Sequence, residues 1–356
     1  MARMLTVTLN PAIDMTMTVS ALIPGEVHRV REVATHAAGK GINVAQALGD
    51  LGHTLTVTGF LGRDNAAMFE QLFARRGWRD AFIRVPGETR CNVKVVERRA
   101  PAEGPIDNVD HVAAVGAHAD DGAPAMPGDV PTQGRNTDLN SPGFEVDARQ
   151  ATQLADELCG LAPDHDAIVF AGSLPRGIDA AWLTTLLARL KPLNPHIAVD
   201  TSGAALAAVL ATHPWLVKPN VEELVAALRL PTHDRAAWQT AAARLVHDGV
   251  ANVVVSDGAA GVTWLTAAGG WHAVPPKVDV RSTVGAGDTL LAGMVHALTQ
   301  HLPPQDTLRL AAACGTYAVT QVGFGLPDIP ALHRIEHNVV VSAIDSTPST
   351  TWTRQP

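Results

Sequence analysis

The most informative stretch of this sequence is Ser282-Thr283-Val284-Gly285-Ala286-Gly287-Asp288. Its two glycines around a single alanine allow a tight turn that exposes several backbone N–H groups in one direction. The Ala- and Leu-rich segment from Asp288 to Leu298 is typical of a buried helix. Because the exposed N–H groups then lie at a helix N-terminus, the stretch predicts an anion hole suited to a phosphoryl group.

Asp288 has two interpretations on residue type alone. An aspartate in such a turn commonly caps the helix that follows it. A carboxylate in the last position of an anion-binding loop also serves as a base that takes a proton from an attacking hydroxyl. An ordinary aspartate pKa of about 3.9 would leave this carboxyl group ionised at neutral pH.

A second glycine pair lies far upstream in Gly39-Lys40-Gly41, and it also precedes a stretch with apolar residues at helical spacing. Lys40 can reach a ligand anion, and Asn43, one turn further on, offers an amide to sugar hydroxyls. A G-K-G triplet is a weak signal on its own, because a solvated surface lysine is the more common explanation of it.

The amino-acid composition excludes several classes of function. The 356-residue chain has a net charge of −8, which argues against nucleic-acid or anionic-membrane partners. Its three cysteines are Cys91, Cys159 and Cys314, and their wide spacing predicts neither a disulfide framework nor a metal site. We therefore expect a cytoplasmic protein, without a signal peptide and without an apolar run of transmembrane length.

Short apolar runs alternate with amphipathic helical stretches, which predicts an α/β fold with a mainly parallel central sheet and helices on both faces. In such sheets ligands bind at the carboxyl ends of the strands. The predicted strands are Leu5–Leu9, Leu55–Phe60, Ala167–Ala171, Ile197–Asp200, Trp215–Lys218 and Val253–Ser256. The predicted helices are Ile42–Leu51, Asn65–Arg76, Ala148–Leu161, Ala180–Leu190, Glu222–Leu228 and Arg235–His247.

Two segments, 15–35 and 90–98, alternate polar and apolar residues without a helical period and fit a small second sheet. Residues 100–137 are dense in Pro, Gly, Ala and Asp. We interpret them as a disordered, solvated insertion rather than a regulatory element. The tail 336–356 is expected to be partly disordered.

The two glycine clusters, in this order, resemble those of the ribokinase-like (PfkB) family of sugar kinases, and the resemblance covers nearly the whole chain. Further landmarks in family order are Asn10-Pro11-Ala12-Ile13-Asp14, Thr89-Arg90-Cys91-Asn92-Val93-Lys94, Gly172-Ser173-Leu174-Pro175 and Lys218-Pro219-Asn220-Val221-Glu222-Glu223. The resemblance implies a ribokinase-like kinase domain over residues 1–335. It also implies a small β-sheet lid from about 14–36 and 89–145, and a homodimer formed through that lid.

The resemblance implies ATP- and Mg²⁺-dependent phosphorylation of a sugar phosphate. Two segments are similar to those of family members that convert fructose 1-phosphate to fructose 1,6-bisphosphate. They are residues His36 to Asn43 and the pair Ser282-Thr283 before the glycine loop. Tagatose 6-phosphate or another ketohexose 6-phosphate is the alternative substrate. A non-catalytic sugar-phosphate sensor is a distant alternative. A dinucleotide oxidoreductase is disfavoured, because no G-x-G-x-x-G follows the first strand.

The resemblance also assigns roles to individual residues. Asp288 is favoured as general base, with the backbone of Gly285, Ala286 and Gly287 as the anion hole. Sugar-phosphate binding is expected from Asp14, Gly39, Lys40, Asn43, Arg90 and Asp288. ATP binding is expected from Lys218, Asn220, Glu223, Ser256, Gly258, Gly261, Ser282, Thr283, Val284 and the 285–287 loop. Glu223 is expected to organise Mg²⁺ through water, although the helix dipole also favours a glutamate in the first turn.

Overall fold

The computed structural model describes residues 1–30, 32–97, 136–231 and 234–344. The chain divides into two compact units. The first comprises Met1–Ile13, Ala37–Cys91 and Ser141–Pro356, and the second comprises Asp14–His36 and Asn92–Asn140. Among the described helices, none is long and apolar enough to cross a lipid bilayer.

The strands of the described residues belong to two sheets. Their bounds are β1 (Arg3–Thr8), β2 (Ala12–Val19), β3 (Glu32–Ala38), β4 (Thr54–Gly62), β5 (Arg79–Val85), β6 (Arg90–Glu97), β7 (Asn136–Asn140), β8 (Ala167–Ala171), β9 (Ile197–Asp200), β10 (Leu216–Val217), β11 (Asn252–Ser256), β12 (Val262–Thr266), β13 (Gly269–Val274) and β14 (Val340–Ile344). The larger sheet has the strand order β14-β13-β12-β11-β10-β9-β8-β1-β4-β5.

The larger sheet is mainly parallel, as the sequence predicts. Strand β1 pairs in parallel with β4 on one side and with β8 on the other. The order continues in parallel from β8 through β9 and β10 to β11. Strands β12, β13 and β14 then extend the sheet by antiparallel pairing, which the sequence pattern does not predict. Residues 340–344 of the expected tail therefore form an edge strand, and residues 345–356 lie outside the described part.

Helices pack on both faces of this sheet, in agreement with the predicted fold class. They are α1 (Lys40–Asp50), α2 (Ala67–Arg76), α3 (Ala148–Leu161), α4 (Ala180–Leu190), α5 (Gly203–Leu210), α6 (Val221–Leu228), α7 (Arg235–Asp248), α8 (Ala286–Thr299), α9 (Pro304–Val319) and α10 (Ile329–His337). Alternate residues of β1 face opposite sides. Met4 packs with the buried residues of α1, α8 and α9, whereas Leu5 and Val7 pack with those of α3 and α4.

The second unit contains a small sheet of order β3-β2-β6-β7, which was also expected. Strands β6 and β7 are antiparallel, with Val95 opposite Thr137 and Val96 opposite Asn136. Residues 136 and 137, assigned from the sequence to the insertion, thus belong to a strand. The rest of the expected insertion, 100–135, lies outside the described residues.

Candidate active site

The glycine loop forms the start of α8. Gly285 precedes the helix with a left-handed φ of 77°, a conformation that favours glycine. Its carbonyl oxygen accepts hydrogen bonds from the Thr289 N–H at 2.9 Å and from Thr289 Oγ1 at 2.8 Å. None of the described side chains caps this helix. The N–H groups of its first turn, beginning at Ala286 and Gly287, therefore point out of the helix toward a prospective anion.

Asp288 lies in the first turn of α8 and is 5% exposed. Its Oδ2 accepts a hydrogen bond from Asn43 Nδ2 at 2.8 Å, so α1 and α8 meet at this carboxylate. The side chain makes no capping hydrogen bond to its own helix. The interpretation of Asp288 as a helix cap is therefore wrong.

The surroundings of Asp288 shift its proton equilibrium. Burial raises the pKa of Asp288 to about 6, and the negative charge of Asp200 contributes to the rise. The charge of Lys40, the hydrogen bond from Asn43 and the charge of Lys218 act in the opposite direction. The ordinary pKa assumed from the sequence is thus wrong. A carboxylate with a pKa just below neutrality is still largely ionised at pH 7 and is a stronger base than a free aspartate.

Asp200, at the carboxyl end of β9, is a residue that the sequence analysis missed as part of the site. Its side chain is fully buried, with Oδ1 3.5 Å from Lys40 Nζ and Oδ2 3.3 Å from Lys218 Nζ. Burial lowers the pKa of Lys40, but the charges of Asp200, Asp288 and Glu223 outweigh it and raise the pKa overall. Lys40 therefore stays cationic next to Asp288.

Steric constraint explains the G-K-G triplet. A Cβ on Gly41 would lie 2.3 Å from Thr8 Oγ1 and 2.9 Å from the Val7 carbonyl oxygen. A Cβ on Gly39, whose φ is +129°, would lie 2.9 Å from Thr8 Cγ2. Glycine at both positions lets α1 begin directly against the carboxyl end of β1. This contact brings Lys40 and Asn43 to the site.

Lys218 joins the glycine loop to the sheet. It follows β10, is 4% exposed, and its Nζ would lie 3.2 Å from a Cβ placed on Gly287. The ammonium group therefore lies against the anion hole that the sequence predicts.

Asn220 and Glu223 form a capping box at the start of α6. Asn220 Oδ1 accepts from the Glu223 N–H at 2.7 Å, and Glu223 Oε2 accepts from the Asn220 N–H at 3.0 Å. A capping box stabilises a helix start by satisfying two backbone donors. The N-x-x-E pattern thus has a structural role here, and its expected role toward ATP and Mg²⁺ stays a prediction.

The other expected ATP residues lie in two loops. Ser256 is the last residue of β11, and its N–H donates to the Pro219 carbonyl oxygen at 3.1 Å, which connects it to Asn220. Gly258 and Gly261 flank the next turn with φ values of 49° and 108°. Ser282 donates its N–H to the Val319 carbonyl oxygen at 3.3 Å, so the segment that runs through Thr283 and Val284 is anchored to the end of α9.

Arg90 and Asp14, both expected to bind the sugar phosphate, have protein partners. The guanidinium of Arg90 donates to the carbonyl oxygens of Ser141 at 2.9 Å, Asn10 at 3.1 Å and Pro11 at 3.3 Å. This geometry gives Arg90 a structural role in joining three segments, and its contact with a phosphate stays a prediction. In the second unit, Asp14 Oδ1 accepts from Asn92 Nδ2 at 3.1 Å.

The geometry of the site defines a class of enzyme. A buried carboxylate, two lysines and an open helix N-terminus fit a phosphotransferase with a hydroxyl acceptor. The sequence pattern of the pfkB family carbohydrate kinases matches residues 7–109 and 131–332. The chain belongs to this family, which confirms the resemblance found in the sequence, and it is a carbohydrate kinase. A kinase of this family implies ATP as the phosphate donor.

Individual known proteins are similar to this chain over nearly its full length. The chain is 41% identical over 342 residues to the 1-phosphofructokinase of Vibrio cholerae, a match covering 96% of this chain and 97% of that protein. Its fold is similar to Escherichia coli phosphofructokinase-2 in complex with fructose-6-phosphate, with TM-score 0.77 and 25% identity over 95% and 99% of the two chains. The tetrameric inhibited form of phosphofructokinase-2 from the same organism gives TM-score 0.77 and 26% identity, again over 95% and 99%.

Proposed function

We propose that this carbohydrate kinase transfers the γ-phosphoryl group of ATP to D-fructose 1-phosphate and forms D-fructose 1,6-bisphosphate. The observation that carries the proposal is the buried Asp288 carboxylate, held by Asn43 at the open start of α8. The similarity to a 1-phosphofructokinase over almost the full length of both chains supports this sugar phosphate as the acceptor.

In this mechanism Asp288 orients the 6-hydroxyl group and accepts its proton as the oxygen attacks the γ-phosphorus. A new O–P bond forms, the bond between the γ-phosphorus and the bridging oxygen breaks, and ADP leaves with that oxygen. The N–H groups of the 285–287 loop hold the equatorial oxygens of the phosphoryl group. Lys218, next to Gly287, and Lys40 neutralise charge on the phosphates.

Sugar binding is assigned in the same proposal to Asp14, Gly39, Asn43, Lys40 and Arg90. Carboxylate and amide groups bind hydroxyls, whereas the two cationic side chains suit the phosphate of the acceptor. The contacts of Lys40 with Asp200 support a fixed position for its ammonium group. ATP binding is assigned to the residues that the sequence predicts for it, from Lys218 to the 285–287 loop.

Magnesium is the proposed cofactor, and the residues fit it in a limited way. The buried carboxylate oxygens of Asp200 are ion-paired with Lys40 at 3.5 Å and with Lys218 at 3.3 Å, and Glu223 uses one oxygen in the capping box. The described residues include no cluster of three or more metal-ligating side chains. Mg²⁺ typically binds through one or two carboxylates, substrate phosphates and water, so Glu223 would hold it largely through water. When bound, it supplies charge neutralisation on the ATP phosphates.

A coupled assay of ADP release tests the proposed acceptor. Fructose 1-phosphate, fructose 6-phosphate and tagatose 6-phosphate are offered at equal concentrations, and kcat/KM is compared. The proposal expects fructose 1-phosphate to be preferred by at least about tenfold, a difference of about 1.4 kcal/mol in transition-state binding. Preference for a 6-phosphate would identify a ketohexose-6-phosphate kinase instead. Binding of sugar phosphate without turnover would indicate a sensor.

We also propose a homodimer formed through the small sheet. Val33 on β3 and Leu139 on β7 are exposed by 57% and 60%, and an open sheet with exposed apolar residues favours pairing. Sedimentation of the wild type and of Val33→Asp tests this: a monomeric variant supports the dimer surface, and an unchanged oligomer contradicts it. The cytoplasm is the proposed location, supported by the thiols of Cys159 and Cys314.

A further inference from the structure

Asp50, the last residue of α1, connects this helix to a distant segment of the chain. Its Oδ2 accepts a hydrogen bond from the Leu326 N–H at 2.6 Å, and its Oδ1 lies 2.5 Å from Arg76 NH1. The Asp50 side chain is 14% exposed, and Leu326 is 1% exposed. A buried N–H that lost this acceptor would be left unsatisfied, so the bond fixes where Leu326 lies.

Residues 321–326, here called the 321–326 loop, are shaped around this carboxylate. Gly325 has a left-handed φ of +88°, and a Cβ placed on it would lie 2.4 Å from Asp50 Oδ2. The carbonyl oxygen of Gly325 accepts a hydrogen bond from Gln321 Nε2 at 2.8 Å, which closes the loop. The loop therefore has a defined position against the end of α1.

The same loop also contacts the anion hole. A Cβ on Gly285 would lie 3.2 Å from Phe324 Cδ1, so the ring of Phe324 packs closely against the residue that precedes α8. The Arg281 and Ser282 N–H groups donate to the Val319 carbonyl oxygen, which anchors the preceding segment. The conformation of Gly285 depends on the ring of Phe324 and on these hydrogen bonds, because a glycine by itself restricts its backbone little.

We propose that Asp50 is a positioning residue for phosphoryl transfer. Through the 321–326 loop and the ring of Phe324, it holds Gly285 and therefore the N–H groups of the anion hole. Asp50 belongs to the same helix as Lys40 and Asn43, so one rigid element positions the cation, the amide and the anion hole together. The inference rests on the proposed phosphoryl transfer from ATP, but not on which sugar phosphate accepts the group.

Asp50→Ala is the main test in the full-length protein. Because a displacement of about 1 Å in a catalytic group can cost about a hundredfold in rate, we expect kcat to fall by about tenfold to a hundredfold. KM for the sugar phosphate should change by less than about threefold. Asp50→Asn keeps an oxygen acceptor for the Leu326 N–H and should restore most of kcat, although it loses the charge opposite Arg76. Asp306→Ala, which removes an exposed acid paired with Arg309, is the matched control.

Hydrogen exchange gives a readout that does not depend on turnover. Asp50→Ala should speed amide exchange in peptides covering residues 282–288, whereas Asp306→Ala should leave those peptides unchanged. Phe324→Leu should reproduce the loss of kcat. The double variant Asp50→Ala/Phe324→Leu should lose less than the product of the two single losses, because both changes act on the same contact.

Other results would contradict the proposed role of Asp50, and each would point to a different conclusion. Unchanged kcat and unchanged exchange in Asp50→Ala would overturn the inference, as would fully multiplicative losses in the double variant. A lower melting temperature with protected 282–288 amides would assign Asp50 a purely structural role. If the wild type prefers another sugar phosphate, the acceptor assignment fails, and the same comparisons with that acceptor still decide the role of Asp50.

Discussion

Among single residues, Asp288 combines burial with an acidic side chain that must be ionised to act as the proposed base. Asp288→Asn keeps the shape of the side chain but removes the base, so we predict that kcat falls about a hundredfold or more. Affinity for ATP should change little, because the 285–287 backbone is intact. Steady-state kinetics with the Asp306→Asn variant as control checks this. A variant that retained most of its kcat would exclude Asp288 as the base.

The same substitution should raise stability. The pKa of Asp288 rises from 3.8 to about 6 on folding, so the free energy of unfolding decreases as pH increases through this range. This penalty is on the order of 3 kcal/mol above pH 6 and is absent below pH 4. Asp288→Asn should therefore melt above the wild type at pH 8, and the gap should close toward pH 4. Thermal unfolding across this range measures it, and a gap independent of pH would contradict the expectation.

The negative charge of Asp200 contributes to the raised pKa of Asp288. In the wild type, kcat should fall below about pH 6 as Asp288 gains its proton. Asp200→Asn removes a like charge and leaves Lys40 and Lys218 to act alone, so the kinetic pKa should move down by about one unit. The pH profile of kcat reports this shift. An acidic limb that stays in place would show that the two carboxylates are not coupled.

Residue type and position predicted some of the site but not all of it. Asp288, Lys40 and Asn43 follow glycine-rich turns, and such turns indicate places where the backbone approaches a ligand. Asp200 has no such signal, since an aspartate ending a strand before Thr201-Ser202-Gly203 is equally typical of a turn. Its role follows from the neighbouring lysines, which meet it only in three dimensions.

Among the elements, α1 depends on its close contact with β1. In Gly41→Ala the new methyl group would collide with Thr8 Oγ1 and the Val7 carbonyl oxygen, so α1 must shift. We predict a lower melting temperature and a loss of kcat/KM of at least about tenfold, because Lys40 and Asn43 move with the helix. Gly160→Ala is the matched control. A Cβ at that helical position meets nothing within 4 Å, so stability should rise by about 0.5–1 kcal/mol. Equal effects of the two substitutions would contradict this account.

Elements with a clear apolar pattern are predicted well. Helices Ala148–Leu161 and Ala180–Leu190 and strand Ala167–Ala171 have the bounds expected from the sequence. Helix α8 begins two residues before Asp288, because its first turn contains the glycine loop itself. The antiparallel strands β12–β14 were missed, because short strands near glycines and prolines carry little periodicity. The positions of these strands in the sheet are determined by the pairing of β12 with β11, which depends on tertiary structure.

On the scale of the whole molecule, a histidine pair connects the chain start to α8. His53 Nδ1 accepts from the Ala2 N–H at 3.2 Å, and His53 Nε2 lies 2.8 Å from His296 Nδ1. Burial, the neighbouring His53 and the chain amino terminus lower the pKa of His296 to about 4. Burial also lowers the pKa of His53, with a smaller opposing effect from Asp166.

This pair should make the fold sensitive to acid. Groups whose pKa is lowered on folding support the folded state above their ordinary pKa of 6.5, and that support is lost as pH falls toward 4. We predict that the free energy of unfolding drops between pH 6.5 and 4, and that it drops less in His296→Gln. Urea unfolding at several pH values measures the difference, with the exposed His333→Gln as control. Parallel curves for all three proteins would exclude the pair as the cause.

The position of β1 in the larger sheet has a consequence for biosynthesis. This strand leaves the ribosome well before β8, yet it lies between β4 and β8, and Met4 pairs with Ala167. Long-range parallel pairing is slow, because chain entropy is lost before the contact forms. The nascent chain therefore holds an apolar strand with an unpaired edge until β8 has been synthesised. Refolding yield should depend on protein concentration for this reason, and the amino-terminal half should aggregate when expressed alone.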